Sequence, residues 1–174
     1  MFFIVSKTSR VRKRRPKRGL FRLRREVELP HSLEKVFPFF ADAFQLETIT
    51  PPWLHFQVIT PPPIVMHEGL HIDYRLRLHG LPLRWTSEIA EWKPPNRFVD
   101  VQIRGPYRWW LHEHRFISCG QATRIVDELE YAVPGGRLVH ALLVRRDVER
   151  VFEFREQTLR ELWGPARGAP ESVS

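Results

Sequence analysis

Two histidines and an aspartate carry most of the chemistry this sequence can offer. His112 and His114 stand one residue apart in an alternating stretch, Tyr107 to Ser118, and Asp127 lies in the stretch that follows. Alternate positions of a strand project to one face. With Glu113 and Arg115 turned to water, Trp110, His112, His114 and Phe116 point inward together. Imidazoles titrate near neutral pH, so such a pair can act as general acid and base beside a bound carbonyl. Two imidazoles and a carboxylate are also metal ligands, but no fourth ligand is evident and the spacing is a common one. A hydrogen-bonded polar group in a cavity wall needs no metal, so no metal, cofactor or catalytic residue is assigned. The sequence has no nucleophile elbow and no glycine-rich phosphate loop.

The elements that must position these residues follow from periodicity and turn chemistry. Phe21, Leu23, Val27 and Leu29 recur at every second place, which predicts a strand with one buried face. Ser32 is placed as an N-cap, and Leu33, Val36, Phe37, Phe40 and Phe44 follow at helical spacing. Pro38 should divide that stretch into two short helices, and Pro51-Pro52 should end it. Six extended segments come next: 54–59, 70–78, 81–93, 97–104, 107–118 and 121–133. Their separators are short turns such as His79-Gly80 and Gly105-Pro106, which make neighbours antiparallel. After Gly135-Gly136 the period becomes helical. Leu138, Leu142, Arg145, Val148, Phe152, Arg155, Leu159 and Leu162 form one seam, and Gly164-Pro165 closes it. Seven antiparallel strands, two short helices after the first strand and one long C-terminal helix make an α+β fold in which a curved sheet wraps around that helix.

Alternation then sorts what faces inward. Ile72, Tyr74, Leu76 and Leu78 form one internal set, and Leu83, Trp85, Ser87 and Ile89 another. In 121–133 the internal set is Thr123, Ile125, Asp127, Leu129 and Tyr131, so a carboxylate comes in with the apolar residues. In 97–104, Val99, Val101 and Ile103 are the apolar set, and the default turns Asp100 and Gln102 outward unless the sheet lines a polar cavity. Buried Asp127, His112, His114 and Arg155 must be mutually bonded or solvated. A cavity part apolar and part polar meets that need.

Composition limits the alternatives. With 174 residues, 43% of them apolar, the chain suits one domain. The net charge of +8 resides in residues 1–18, which hold eight basic residues and no acid, and the remainder is formally neutral. Residues 1–18 and 165–174 are expected to be disordered tails around a domain spanning 19–164. The basic tail can make weak contact with anionic membrane or nucleic acid. The single cysteine, Cys119, excludes an internal disulfide and favours a reducing, cytoplasmic setting. The apolar stretch Met1 to Val5 precedes its basic cluster, the reverse of a secretory signal.

The order of elements resembles the SRPBCC (START-like, helix-grip) ligand-binding superfamily. So does the run Phe98-Val99-Asp100-Val101-Gln102 through Gly105-Pro106-Tyr107, Trp110, His112, His114 and Phe116. Ile49-Thr50-Pro51-Pro52, Leu83-Arg84-Trp85, Thr123, Asp127 to Tyr131, and Val151-Phe152 near Arg155 are similar to its bacterial cyclase/dehydrase-like branch. The resemblance covers about residues 20 to 163. It implies a deep cavity between sheet and C-terminal helix that takes a lipid, polyketide or other largely apolar molecule. Ligand contacts are then expected from Tyr74, Trp85, Gln102, Tyr107, Trp110, His112, His114, Asp127, Tyr131 and Arg155. A carrier or sensor is the first reading, as monomer or homodimer. A polyketide cyclase or dehydratase using the cavity histidines and Asp127 is the alternative, and docking through the basic tail a second.

Overall fold

The computed structural model describes residues 15, 16 and 18–164; the expectations for the basic segment 1–14 and for 165–174 lie outside the described residues. The chain forms β1 (Phe21–Leu29), α1 (Leu33–Ala41), α2 (Gln45–Thr48), a 3₁₀ turn (Pro52–Leu54), β2 (Gln57–Val58), β3 (His71–Leu78), β4 (Leu81–Lys93), β5 (Arg97–Arg104), β6 (Trp109–Cys119) and β7 (Ala122–Ala132). It ends in one continuous helical rod: α3 (Gly136–Val139), a π turn (His140–Val144) and α4 (Arg145–Trp163).

The seven strands make one antiparallel sheet, as the sequence predicts, in the order β1-β7-β6-β5-β4-β3-β2. The pairing of β1 with β7 joins the two ends of the strand order; the others pair neighbours in the chain, β3 to β7 through short turns and β2 to β3 through the longer loop 59–70. α4 lies along the inner face and buries Val148, Phe152, Arg155 and Leu159. Leu29, Val36, Phe37, Phe40, Phe116, Ile125 and Leu159 close the core at the α1 end.

Four sequence expectations are corrected. Pro38 sits inside α1 and does not break it. Val36, Phe37 and Phe40 on the buried face hold the nine-residue helix against the sheet, and the proline ring is exposed. The break comes at Asp42, whose Oδ1 accepts the Phe44 N–H at 2.9 Å. Ser32 occupies the N-cap but contributes no side-chain cap bond. The segment 54–59 pairs over only two residues, because the 3₁₀ turn occupies its start.

The fourth correction concerns the helical seam. Leu138 and Leu142 are about 70% exposed, Leu162 is also exposed, and Arg145 projects outward to Glu149 at 2.9 Å. A spacing of mostly threes drifts around a helix of 3.6 residues per turn, and the π turn at His140–Val144 shifts the phase further, so of this seam only Val148, Phe152, Arg155 and Leu159 are buried.

Candidate functional site

The sheet and α4 do not close on each other completely. Between them lies a cavity of about 470 Å³, walled by Phe40, Leu46, Ile72, Leu76, Trp85, Phe98, Tyr107, Trp110 and Phe152. Trp53 and Leu54, the β3–β4 hairpin tip at His79-Gly80, and Asp147 and Arg150 of α4 border it. His79 Nε2 stands 2.7 Å from Asp147 Oδ2, which ties that hairpin tip to the helix.

The aromatic wall is built by edge contacts. Trp110 meets Trp85 at 5.0 Å between ring centroids and 86° between planes, and Tyr107 at 4.7 Å. The Trp85 indole N–H donates to Ser87 Oγ at 3.0 Å. Burial raises the Tyr74 and Tyr107 hydroxyl pKa values well above the ordinary one, so both are neutral donors or acceptors at the cavity.

One end of the cavity is polar. His112 and His114, at alternate positions of β6, present their rings 3.8 Å apart. Asp100 of β5 pairs directly opposite His112, and Asp127 of β7 opposite His114. Two carboxylates thus flank two imidazoles. His112 Nε2 is 3.0 Å from Asp127 Oδ1, and His114 Nε2 is 3.1 Å from Asp100 Oδ2. His114 Nδ1 stands 2.8 Å from Asp127 Oδ1, a close ionic contact whose angle is not that of a hydrogen bond. Arg155, from α4, brings its Nε to 3.9 Å from Asp127 Oδ2. The far side of His114 is covered by Phe98, stacked on it at 4.1 Å.

The electrostatics follow from these neighbours. Burial opposes charge on Asp127, but Arg155 and the two histidines outweigh it and hold its carboxyl well below the usual range. Burial, reinforced by repulsion from His114, pushes the His112 pKa down and keeps it neutral. Burial opposes charge on His114 as well, yet its two carboxylate partners prevail and raise its pKa. The pair is therefore asymmetric: one imidazole stays neutral and its neighbour holds a proton more firmly.

Of the ten residues singled out from sequence, seven line the cavity: Tyr74, Trp85, Tyr107, Trp110, His112, His114 and Arg155. Asp127 stands behind the histidines and binds them from the far side. Tyr131 packs with Tyr107 and Trp110, and its hydroxyl meets His140 Nε2 at 2.9 Å. Gln102 does not line the cavity. Its amide clamps the turn, donating to Tyr107 O at 2.7 Å and accepting from Tyr107 N at 3.2 Å.

Asp100 is the residue that strand alternation misplaces. It faces the cavity, while Val99 and Val101 are buried on the other face of the sheet with Ala90 and Leu111. A buried apolar set on the outer face defeats the rule that the apolar side of a strand looks inward.

Comparison with known proteins agrees with this geometry. A model of the family described as polyketide cyclase/dehydrase and lipid transport matches residues 29–159. The Zhui aromatase/cyclase from Streptomyces sp. R1128 superposes with a TM-score of 0.58 at 14% identity, covering 83% of this chain and 97% of that one. Ginseng major latex-like protein 151 from Panax ginseng gives 0.63 at 9% identity, covering 85% and 100%. The protein TTHA0849 from Thermus thermophilus gives 0.54 at 23% identity, covering 81% and 92%. These likenesses are of fold. No curated protein sequence matches the chain.

Proposed function

The chain belongs to the polyketide cyclase/dehydrase and lipid transport family, and from that premise we propose that it binds one small, largely apolar molecule in the cavity between sheet and helix. The observation that carries the reading is the cavity itself: about 470 Å³, walled by aromatic and aliphatic side chains and polar at one end. That division fits an amphipathic ligand. Apolar burial supplies affinity at about 25 cal/mol per Å², and Asp100, His112, His114 and Arg155 orient the polar end. A ring system suits the walls better than a bare acyl chain, because Trp85, Tyr107 and Trp110 offer both faces and edges.

A catalytic reading draws on one further observation, the unequal histidines. A neutral imidazole beside a proton-holding one is what proton transfer to and from a bound carbonyl compound requires. The structural likeness to an aromatase/cyclase is compatible with it.

Titration with a polarity-sensitive naphthyl dye tests the binding reading. Saturation at one dye per chain is expected, and Ser87→Phe, which adds a ring inside the cavity, should abolish it while circular dichroism stays unchanged. Equal dye binding by the folded variant would place the dye elsewhere and refute the reading.

A further inference from the structure

The polar end of the cavity has a gap among three ligand-type atoms. Asp100, His112 and His114 each offer one such atom, and all of these lie within 4.8 Å of one another. Asp100 Oδ2 is 3.1 Å from His114 Nε2 and 3.8 Å from His112 Nδ1. A zinc-sized ion with bonds of 2.0–2.2 Å in a tetrahedral arrangement holds its ligands about 3.4 Å apart. The observed separations bracket that spacing.

Asp127 completes the pattern from behind. It faces the nitrogens turned away from Asp100, hydrogen-bonded to His112 Nε2 at 3.0 Å and in ionic contact alone with His114 Nδ1 at 2.8 Å, so the tautomer it fixes is that of His112. A carboxylate on the far nitrogen of a ligating imidazole fixes its tautomer, turns its lone pair forward and raises its basicity. Across the gap Asp100 Oδ2 faces both His114 Nε2 and His112 Nδ1, and the cluster holds two carboxylates, Asp100 and Asp127, against the one guanidinium of Arg155. Such a gap must be filled by a cation, either a proton or a metal ion. The rigidity of the set favours a metal. Two ligands lie on adjacent inward positions of one strand, and the third is on the paired strand directly opposite His112.

We propose that Asp100, His112 and His114 bind a divalent first-row transition ion of the zinc type, with Asp127 as the positioning residue behind both histidines. Imidazole ligands select such an ion over magnesium or calcium. Three protein ligands leave at least one coordination position open, and it faces the cavity, where the polar oxygen of a bound molecule would complete the shell. That last step rests on the cavity-binding reading; the metal site itself does not.

The test uses the untagged full-length protein after chelator treatment. Co²⁺ is titrated in and the visible d–d absorption of a low-coordinate N/O site is read, with Zn²⁺ competition and the shift in thermal midpoint recorded alongside. One ion per chain is expected, with the band lost in Asp100→Asn combined with His112→Ala. Asp127→Asn should weaken Co²⁺ by about tenfold to a hundredfold without removing the band. His67→Ala with His71→Ala, both exposed and away from the cavity, should leave it unchanged. On the wild-type protein, the imidazole ¹⁵N resonances of His112 and His114 should move on Zn²⁺ addition, so the result does not depend on a variant that folds poorly. Absence of a band at saturating Co²⁺, or a band that persists in the Asp100/His112 variant, overturns the proposal. Ser87→Phe separates the two readings: it should lose the dye and keep the metal.

Discussion

Asp127 shows how a single carboxylate organises the polar end of the cavity. It is 6% exposed, yet it faces Arg155 and both histidines, so its charge is compensated from three sides. Breaking such a buried set by removing one partner is far more costly than never having built it. Asp127→Asn is therefore expected to lower unfolding stability by about 3–5 kcal/mol, read by urea denaturation; a loss within about 0.5 kcal/mol would show that the cluster is not ionised as described. The sequence revealed this residue through plain alternation in β7. It hid Asp100, because Val99, Val101 and Ile103 look like the inward set of β5. The signal that locates Asp100 is the turn. Folding the chain back at Gly105-Pro106 sets Asp100 opposite His112, the register the sheet adopts.

At the scale of elements, Gln102 and Gly105 form one device. A Cβ at position 105 would stand 2.3 Å from Gln102 Oε1, so only glycine lets the amide reach back to Tyr107. Gly105→Ala should expel Gln102, free Tyr107 from the cavity wall and weaken dye binding, with a stability cost of about 1–3 kcal/mol for two broken hydrogen bonds. Dye affinity equal to wild type in Gly105→Ala would separate this turn from the cavity. The C-terminal rod supplies a second test. Even in an unbroken helix of 3.6 residues per turn Leu142 lies about 100° around from Leu159, and Leu142 is 71% exposed whereas Leu159 is 1% exposed. Leu159→Ala should cost about 2–5 kcal/mol, and Leu142→Ala no more than about 0.5 kcal/mol, by thermal or urea unfolding. The helical pattern was legible, but its buried stretch was not, since spacings of three and four look like one seam along the sequence while drifting around the helix, and a π turn changes the phase without changing the composition.

For the whole molecule, strand number, the antiparallel pairing of neighbours and the long terminal helix were readable, because turn residues punctuate the chain at the hairpins; the pairing of β1 with β7 was not, since nothing local in the chain joins them. Cavity volume was not readable, since it depends on how far α4 stands off the sheet. The charge of the chain resides in its first 18 residues, whereas the cavity draws on residues from Phe39 onward. Deleting residues 1–14 is accordingly expected to leave dye affinity within about twofold, well under the 1.4 kcal/mol of a tenfold change; a larger loss would make that segment part of the binding unit. The most direct test of the account reads the cavity wall itself, through the indole N–H resonances of ¹⁵N-labelled protein during titration with a naphthol-class ligand. Trp85 and Trp110, which line the cavity, should shift and saturate together at one ligand per chain, while Trp109, which packs with Val99 and Leu111 on the opposite face of the sheet, stays still. Shifts at Trp109 with Trp85 and Trp110 unmoved would contradict a ligand held between sheet and helix.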